Sequence, residues 1–274
     1  MEIGALIGLH KGDDILKRMT ELRDMELQSC QINVWDTSLY TKEIADEVNE
    51  ASRKTGIRVS TLWAGWSGPA VWNFIHGPQT LGLVPAAYRG IRLQDLLAAI
   101  PFAKWIGVKN IATHAGFMPE NPSDPDYVGT IGTLQYLCNK MKEEDIYFLF
   151  ETGQETPVTL LRAIEDIGTG NVGINLDTAN LILYGKGNPV DGLRVFGKYV
   201  RDLHIKDGLF PTNGRQLGHE TAVGEGMANF PEVFRLLKEA NYAGPYTIER
   251  EISGPQQSAD IIRARDLVRS LVKE

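Results

Sequence analysis

The chain has 274 residues, of which 43% are hydrophobic, enough to bury a large core in one domain. Its 35 acidic residues outnumber its 28 basic ones, and the formal charge of −7 argues against a nucleic-acid partner, because phosphate contacts need clustered Lys and Arg. No apolar run approaches the roughly 20 residues that span a bilayer, so we expect no membrane partner. With two cysteines and no secretory leader, we expect a cytoplasmic protein that acts on a small molecule.

Short β-rich runs alternate with longer helical patterns along the whole chain. The predicted strands are residues 2–7, 30–34, 57–63, 108–113, 146–151, 172–177, 200–205 and 245–250. The predicted helices lie near residues 13–24, 41–55, 92–106, 125–144, 157–167, 189–198, 230–241 and 256–272. Eight strand–helix units predict a parallel sheet closed into a (β/α)8 TIM barrel, an α/β fold, with residues 1–274 forming a single domain.

Two connections are longer than turns, residues 64–91 and residues 207–229. Each follows a predicted strand, and in a TIM barrel both would lie on the rim that carries function. The first loop is rich in aromatic residues, and we expect Trp66, together with Trp35 after the second strand, to form walls of a pocket. Aromatic faces of this kind can contact the apolar face of a sugar ring, although a loop that folds over its own small core would have the same composition.

Four predicted strands in succession end on a residue type that binds metals. The segments are FLFE at Glu151, GINLD at Asp177, VRDLH at His204 and YTIE at Glu249. In a closed barrel these strand ends meet at one mouth, where three carboxylates would repel one another without a cation. Three carboxylates and one imidazole predict one divalent ion, with Mn²⁺ as the first expectation and Mg²⁺, Co²⁺ or Zn²⁺ as alternatives.

Further polar residues follow the same strand ends. His114 ends the fourth strand and is a candidate for a hydrogen bond to a substrate hydroxyl, or for a histidine of the core. Lys206 lies two residues after His204 and shares its face of the strand, so it is a candidate for contact with a substrate oxygen or anion. Asp207 is expected to cap the next segment or reach the site. Arg215, from the long seventh loop, is a candidate for substrate binding or a solvated loop arginine. Glu155 is expected to be an exposed surface carboxylate, with a position at the rim as the alternative.

The motifs carry a family resemblance. They read FLFETG, GINLDTANL, YVRDLHIKDG and AVGEGMANFPEVFRLLKEANYAGPYTIERE. The chain resembles the xylose isomerase-like superfamily of TIM barrels, in its sugar phosphate isomerase/epimerase branch, over nearly its whole length. The resemblance assigns Glu151, Asp177, His204 and Glu249 to the metal positions. It implies a sugar substrate, free or phosphorylated, and leaves open a homo-oligomer formed through the helices.

The resemblance also implies a mechanism. The substrate would be a ketose, keto-sugar or sugar phosphate that forms a metal-stabilised enediolate, with Glu151 and Glu249 as the two proton-transfer groups. The sequence does not separate an epimerase or isomerase from a lyase that dehydrates a keto-sugar or inosose, because both begin with loss of a proton next to a carbonyl.

One position departs from the family pattern. Ketose 3-epimerases usually carry a histidine three residues after the metal-binding aspartate, where this chain has Asn180. Asparagine can hydrogen bond to a sugar hydroxyl, so Asn180 is a candidate substrate-binding residue, but it cannot carry a protonic charge. Endonuclease IV, a DNA repair enzyme with the same barrel, uses several histidines for three zinc ions. This chain has five histidines in all, which makes that function a remote alternative.

Overall fold

A computed structural model describes residues 2–273 and shows a closed barrel of eight parallel strands. Its strands are β1 (Ile3–Gly8), β2 (Ser29–Val34), β3 (Arg58–Ala64), β4 (Asn110–Thr113), β5 (Tyr147–Glu151), β6 (Val172–Asp177), β7 (Val200–Ile205) and, after two short strands outside the barrel, β10 (Tyr246–Ile248). Each strand pairs in parallel with its neighbours, and β10 closes the barrel between β7 and β1. The predicted (β/α)8 fold is confirmed.

Helices follow the strands and surround the barrel. They are α1 (Ile15–Asp24), α2 (Lys42–Thr55), α3 (Gly77–Thr80), α4 (Ala86–Trp105), α5 (Pro125–Lys142), α6 (Pro157–Ile167), α7 (Asn180–Leu183), α8 (Pro189–Phe196), α9 (Phe230–Glu239) and α10 (Pro255–Lys273). Two short 3-10 helices span Thr37–Leu39 and Gly197–Tyr199. Among residues 2–273, no helix is both long and apolar enough to cross a membrane.

Local sequence sets several helix boundaries. The hydroxyl of Thr41 accepts a hydrogen bond from the amide of Ile44, and so caps the first turn of α2. The same helix ends at Gly56, whose φ of 76° is a left-handed conformation that costs glycine little. Thr156 caps α6, and Pro157 occupies its first turn, where the missing amide hydrogen is not needed. These signals explain why the predicted boundaries of α2 and α6 agree with the structure.

Both long connections contain more structure than the sequence predicted. The short helix α3 lies within residues 64–91, and α4 begins at Ala86, six residues before the predicted start near residue 92. The second connection contains β8 (Asp207–Leu209) and β9 (His219–Thr221), which form a small antiparallel sheet outside the barrel. Both connections follow barrel strands at their carboxyl ends, which is the functional rim of this fold.

The pairing register places the four metal-type residues at one end of the barrel. Asp177 of β6 pairs with His204 of β7, and Thr247 of β10 pairs with the same His204. Glu151 is the last residue of β5 and pairs with Asn175, two residues before Asp177. Glu249 follows directly after β10. The alternation of side chains along each strand then turns these residues to one side, the barrel interior.

Candidate metal centre and active site

Four side chains meet at the carboxyl end of the barrel. One donor atom from each of Glu151, Asp177, His204 and Glu249 lies within 4.8 Å of the other three. The Nδ1 atom of His204 is at the centre of this group, 3.1 Å from Oε1 of Glu151 and 3.0 Å from Oε2 of Glu249. It lies 3.9 Å from Oδ2 of Asp177. Three oxygen donors and one nitrogen donor thus surround one small volume.

A hydrogen-bond chain fixes which nitrogen of His204 faces the carboxylates. The Nε2 atom of His204 lies 3.0 Å from Oε1 of Gln31, and the amide nitrogen of Gln31 donates to Oδ1 of Asn175 at 2.9 Å. Because the Gln31 oxygen must accept, Nε2 carries the hydrogen, and Nδ1 presents its lone pair when the ring is neutral. A hydrogen bond of this kind, to the ring nitrogen that faces away from the ion, orients metal-binding histidines. Gln31 was not singled out from the sequence.

Asp177 has one oxygen with partners and one without. Its Oδ1 atom accepts the amide hydrogens of Ala179 and Asn180, both at 2.8 Å, so the carboxylate is held by the start of α7. Its Oδ2 atom is buried and has no hydrogen-bond partner in the described part of the chain, residues 2–273. A buried oxygen without a partner is costly unless a ligand satisfies it, and this one points toward the other three donors. The donor set therefore fits a divalent cation.

Burial and the neighbouring charges shift the pKa values of the cluster residues in opposite directions. Burial raises the pKa of Asp177 well above its usual value. Burial also favours the neutral form of Glu151 and Glu249, but the cations and histidines beside them outweigh it and lower the pKa of both carboxyls. The same two carboxylates overcome burial at His204 and raise its pKa. In the absence of a metal, a proton on His204 supplies the positive charge that the cluster requires.

Lys206 is buried directly behind the cluster rather than on the cavity wall. Its ammonium lies 2.5 Å from Oε1 of Glu251, 3.4 Å from Oε2 of Glu249 and 3.6 Å from Oδ2 of Asp177. It is also 3.4 Å from the side-chain oxygen of Asn180. These carboxylates outweigh burial and raise the pKa of Lys206, so it is a fixed positive charge that balances the carboxylates.

Asn180 lies between the cluster and Lys206. Its amide nitrogen is 3.4 Å from Oε1 of Glu151, while its oxygen accepts from Lys206. An amide can serve both partners because it has a donor and an acceptor. His114 is also buried, with Nε2 at 3.4 Å from the same Oε1 of Glu151 and Nδ1 without a partner. Burial lowers the pKa of His114, so the ring is neutral and can donate or accept a single hydrogen bond.

A cavity of about 330 Å³ opens above the cluster, a size within the range of small-molecule sites. It is lined by Asn33, Trp35, Trp63, Trp72, His114, Glu151, Asn180, Leu183, Tyr184, Leu217, Glu249 and Glu251. Among the residues predicted from the sequence, His114, Asn180, Trp35, Glu151 and Glu249 therefore reach the lining. The other wall residues carried no signal beyond the aromatic composition of residues 64–91.

Three indole rings form one wall. Trp35 lies 5.0 Å from Trp63 and 6.2 Å from Trp72 between ring centroids, and Trp63 hydrogen bonds through Nε1 to Glu151. Trp66, predicted to be a wall, does not line the cavity. It is buried behind Trp35, where its Nε1 donates to Thr113 and the guanidinium of Arg92 covers its ring. Trp66 supports the wall, and Trp72 takes the exposed position.

Two other predicted positions differ in the structure. Arg215 is exposed on the loop between β8 and β9 and is not part of the cavity lining. Glu155, predicted to be exposed, is 2% exposed and belongs to a segment after β5, residues 152–155, that is buried throughout. Burial raises the pKa of Glu155 to about 8. Neighbouring Gly153 shows how closely this segment packs, since a Cβ there would lie 3.3 Å from Asn180.

Asp207, whose role the sequence left open, organises the glycine-rich VGEG segment. Its Oδ2 atom accepts the amide hydrogens of Gly224 at 3.0 Å and Gly226 at 2.9 Å, and its Oδ1 atom accepts that of Ala228 at 3.0 Å. A Cβ at position 226 would lie 2.2 Å from the Asp207 carboxylate, which explains the glycine there. Asp207 therefore caps the loop that follows β9 and does not face the cavity.

Comparison with known proteins places this architecture in a family. A model of the xylose isomerase-like TIM barrel matches residues 19–271. The crystal structure of a xylose isomerase domain protein from Planctomyces limnophilus has 34% sequence identity and a TM-score of 0.92, covering 99% of this chain and 97% of that chain. An inosose dehydratase of Bacillus anthracis is 22% identical over 253 residues, which cover 86% of this chain and 73% of that protein.

A more distant structure shares the fold. The 3-keto-D-glucoside 4-epimerase of E. coli has 18% identity and a TM-score of 0.72, covering 98% of this chain and 99% of that chain. The family match covers nearly all of the barrel, from α1 to α10. The chain therefore belongs to the xylose isomerase-like TIM-barrel family, as its sequence motifs indicated.

Proposed function

We propose that this protein is a divalent-metal-dependent sugar isomerase or epimerase that acts on a ketose or keto-sugar. The observation that carries the proposal is the meeting of four donor atoms within 4.8 Å at the base of a cavity walled by indole rings. Membership of the xylose isomerase-like family agrees with it, since its relatives include proteins named as sugar epimerases and inosose dehydratases.

The four residues would hold the ion through oxygens of Glu151, Asp177 and Glu249 and through Nδ1 of His204. The unpartnered Oδ2 of Asp177 and the lone pair directed by Gln31 support this set. Mostly oxygen donors favour Mn²⁺ first, then Mg²⁺ or Co²⁺. A bound divalent ion would polarise the substrate carbonyl and stabilise negative charge that develops on its oxygen.

Glu151 and Glu249 are the proposed proton-transfer groups. A proton acceptor must be ionised, and a bound cation would favour the ionised form of both carboxyls. One carboxylate accepts the proton from the carbon next to the carbonyl, which leaves an enediolate. In an epimerase the other carboxyl returns a proton to the opposite face of that carbon, and in an isomerase the proton goes to the adjacent carbon.

The remaining polar wall residues are proposed to hold the sugar. His114 has an unpartnered Nδ1 and lines the cavity, so it can bond a hydroxyl. Asn33 also lines the cavity, and its buried side-chain oxygen has no hydrogen-bond partner within residues 2–273. Both groups lose hydrogen bonds to water on folding and regain them when a polyhydroxylated ligand binds. The indole wall contacts the C–H face of the same ring.

A metal-dependent lyase is the second candidate. It is favoured by the relative named inosose dehydratase, which matches 86% of this chain. Removal of a proton beside the carbonyl is common to both reactions, and they diverge only when a hydroxyl leaves the neighbouring carbon. The same two carboxylates and the neutral His114 would serve either outcome, so the product decides between them.

The test combines metal analysis with isotope exchange. The purified protein would be stripped of metal, reloaded with Mn²⁺, and incubated with ketoses and 3-keto-sugars in D₂O. Deuterium at the carbon next to the carbonyl is expected with the unchanged chain and not with Glu151→Gln or Glu249→Gln. Loss of water would select the lyase.

Glu165→Gln provides the matched control, because Glu165 is an exposed carboxylate on α6 outside the cavity. It is expected to bind metal and exchange deuterium like the unchanged chain. Failure of the folded protein to bind any divalent metal would refute the proposal, and product formed without deuterium would replace proton transfer with a hydride shift.

A further inference from the structure

We infer that the substrate of this site carries no phosphate or other anionic group. The inference rests on the proposed function, and it fixes a substrate class that the sequence left open. Three features carry it: the negative charge of the cavity wall, the pairing of Lys206 and Arg250 with carboxylates, and the hydrogen bonds that rim amides already donate to carboxylates of the chain.

The cavity wall is negative. Three carboxylates, Glu151, Glu249 and Glu251, are part of the lining, and within residues 2–273 no lysine or arginine is. Asp177 adds a fourth carboxylate just below. A divalent ion and the ammonium of Lys206 would leave this group of charges negative. A phosphate ester, with about two negative charges of its own, would therefore be repelled in a partly desolvated cavity.

The cation nearest to the cavity is not available to a ligand. Lys206 is 1% exposed, and its ammonium is held by Glu251 at 2.5 Å, Glu249 at 3.4 Å and Asp177 at 3.6 Å. An ammonium has three donors, and its hydrogen bonds to Glu251, to Glu249 and to the side-chain oxygen of Asn180 account for them. Lys206 therefore stabilises the cluster from behind and presents no free donor to a phosphate.

Two arginines of this end of the barrel, Arg250 and Arg215, are also unsuited to binding a phosphate. Arg250 donates through Nε to Asp260 at 2.8 Å, and its Nη1 lies 3.1 Å from Oε1 of Glu220, so it is held between two carboxylates. Arg215 is exposed on the β8–β9 loop and does not line the cavity. Phosphate sites normally use an unpaired arginine or lysine, often in a bidentate contact. Arg250 is paired, and Arg215 lies outside the cavity lining.

Backbone amides are the other common phosphate ligands in proteins. At this rim they already donate hydrogen bonds to carboxylates of the chain. The glycine-rich VGEG segment directs the amides of Gly224, Gly226 and Ala228 at the Asp207 carboxylate, at 2.9 to 3.0 Å. A glycine-rich loop of this kind would otherwise form an anion-binding nest. Asp207 fills the nest with a carboxylate of the chain itself.

The same arrangement recurs at two other rim segments. The amides of Ala179 and Asn180, at the start of α7, both donate to Asp177 at 2.8 Å. In the loop after β3, the amide of Ser67 donates to Asp95 of α4 at 2.7 Å. In each of these rim segments the amide hydrogens are thus bonded to a carboxylate of the chain itself. What the cavity leaves unpaired are neutral hydrogen-bonding groups and indole faces, which match an uncharged polyol ring.

The test compares matched pairs of ligands that differ only in a terminal phosphate. D-fructose and D-fructose 6-phosphate form one pair, and D-ribulose and D-ribulose 5-phosphate form the other. Each is titrated against the protein with and without Mn²⁺, and binding is followed by tryptophan fluorescence, since Trp35, Trp63 and Trp72 line the cavity. We expect the free sugar to bind at least about tenfold more tightly than its phosphate.

A charge variant separates electrostatic rejection from a lack of space. Glu251→Gln removes one negative charge from the wall with little change in size and releases Lys206 from its closest partner. We expect it to narrow the preference for the free sugar by at least about threefold, while Glu165→Gln leaves the preference unchanged. A rise in ionic strength should also reduce the difference in affinity between the free sugar and its phosphate, because salt screens repulsion.

The outcomes separate this inference from the proposed function. Equal or tighter binding of the phosphate esters, or no quenching by any of the four sugars, would overturn the inference. Deuterium exchange measured in the same samples reports on the proposed function. Exchange into a phosphate ester alone overturns the uncharged substrate and supports proton transfer. Selective binding of free sugars without exchange into any of them supports the uncharged substrate and counts against proton transfer.

Discussion

Two aspartates in the barrel interior are equally buried but have different surroundings. Asp202 and Asp177 are both 0% exposed, and burial raises the pKa of each carboxyl. Both oxygens of Asp202 have partners: Oδ2 accepts from the hydroxyl of Thr61 at 2.7 Å, and Oδ1 accepts from the hydroxyl of Thr247 at 3.2 Å. Asp177 has backbone partners on Oδ1 only, and its Oδ2 atom has none.

The difference separates a structural carboxylate from one that is ready for a ligand. An unpaired buried acceptor costs about 1–3 kcal/mol, so a chain has no reason of stability to place one at the barrel mouth. Asp202 lies in a layer of polar side chains that satisfy one another within the barrel. Asp177 lies one layer higher, next to three other donors, and its free oxygen points at them. We expect the same substitution, Asp to Asn, to weaken metal binding at position 177 and to lower the stability of the fold at position 202.

The largest expected effect is on metal binding in Asp177→Asn. Loss of a charged donor should weaken Mn²⁺ binding by more than about 100-fold, since even outer-shell changes cost 10- to 100-fold. Asp202→Asn should keep the Mn²⁺ affinity within about threefold and lower the free energy of unfolding by about 1–2 kcal/mol. Calorimetric titration with Mn²⁺ and urea unfolding measure the two quantities. Equal loss of metal affinity in both variants would contradict the division into two layers.

Gln31 joins the two layers, and its removal gives the next largest effect. Gln31→Leu removes the acceptor that holds the hydrogen on Nε2 of His204, so the ring is free to turn or to take the other tautomer. The expected loss of Mn²⁺ affinity is about 10- to 100-fold. Unchanged affinity would mean that the carboxylates alone orient His204.

The sequence predicted the barrel and the four-residue cluster because both depend on local patterns. Each strand is a short apolar run with its own boundary signals, and a parallel barrel brings every strand end to one rim. The cluster therefore needed only strand ends to be identified, and no long-range pairing. Glu151, Asp177, His204 and Glu249 all lie at such ends.

The outer parts of the site depend on contacts that a linear pattern does not encode. Gln31 lies in the middle of β2 and meets His204 across the barrel, 173 residues later in the chain. Glu251 follows the last strand and is recognised only through its contact with buried Lys206. Trp66 and Trp72 are six positions apart in one aromatic loop, and packing of Arg92 on Trp66 decides which ring faces the cavity.

Glu155 offers a third environment for a buried carboxyl. It lies near the cluster without belonging to it, and burial raises its pKa to about 8. The folded protein therefore holds a proton on Glu155 at pH values where the unfolded chain has released it. The free energy of unfolding should fall as pH rises from about 4.5 toward 8. Above pH 8 the contribution of Glu155 to the free energy of unfolding should be constant.

Glu155→Gln keeps the size of the side chain and removes the titration. The free energy of unfolding of this variant, relative to the unchanged chain, should rise by about 2 kcal/mol from pH 6 to pH 8. Urea unfolding of both chains at several pH values measures the difference and cancels other titrating groups. A constant difference across this interval would show that Glu155 is ionised in the folded state.

The smallest expected effect comes from Thr61→Val, which gives Asp202 the same defect that Asp177 has. Valine matches threonine in shape but removes the hydroxyl donor to Oδ2 of Asp202, so a second buried carboxylate oxygen loses its partner. We expect the free energy of unfolding to fall by about 1 kcal/mol in Thr61→Val. Thr61→Ser, which keeps the hydroxyl, should retain most of that stability. Mn²⁺ affinity should not change in either variant. If Thr61→Val creates a second metal site, an unpartnered oxygen alone is enough to attract an ion, and the other donors around Asp177 are less important than proposed. If it lowers stability alone, the convergence of four donors is what distinguishes the barrel mouth from the layer beneath it.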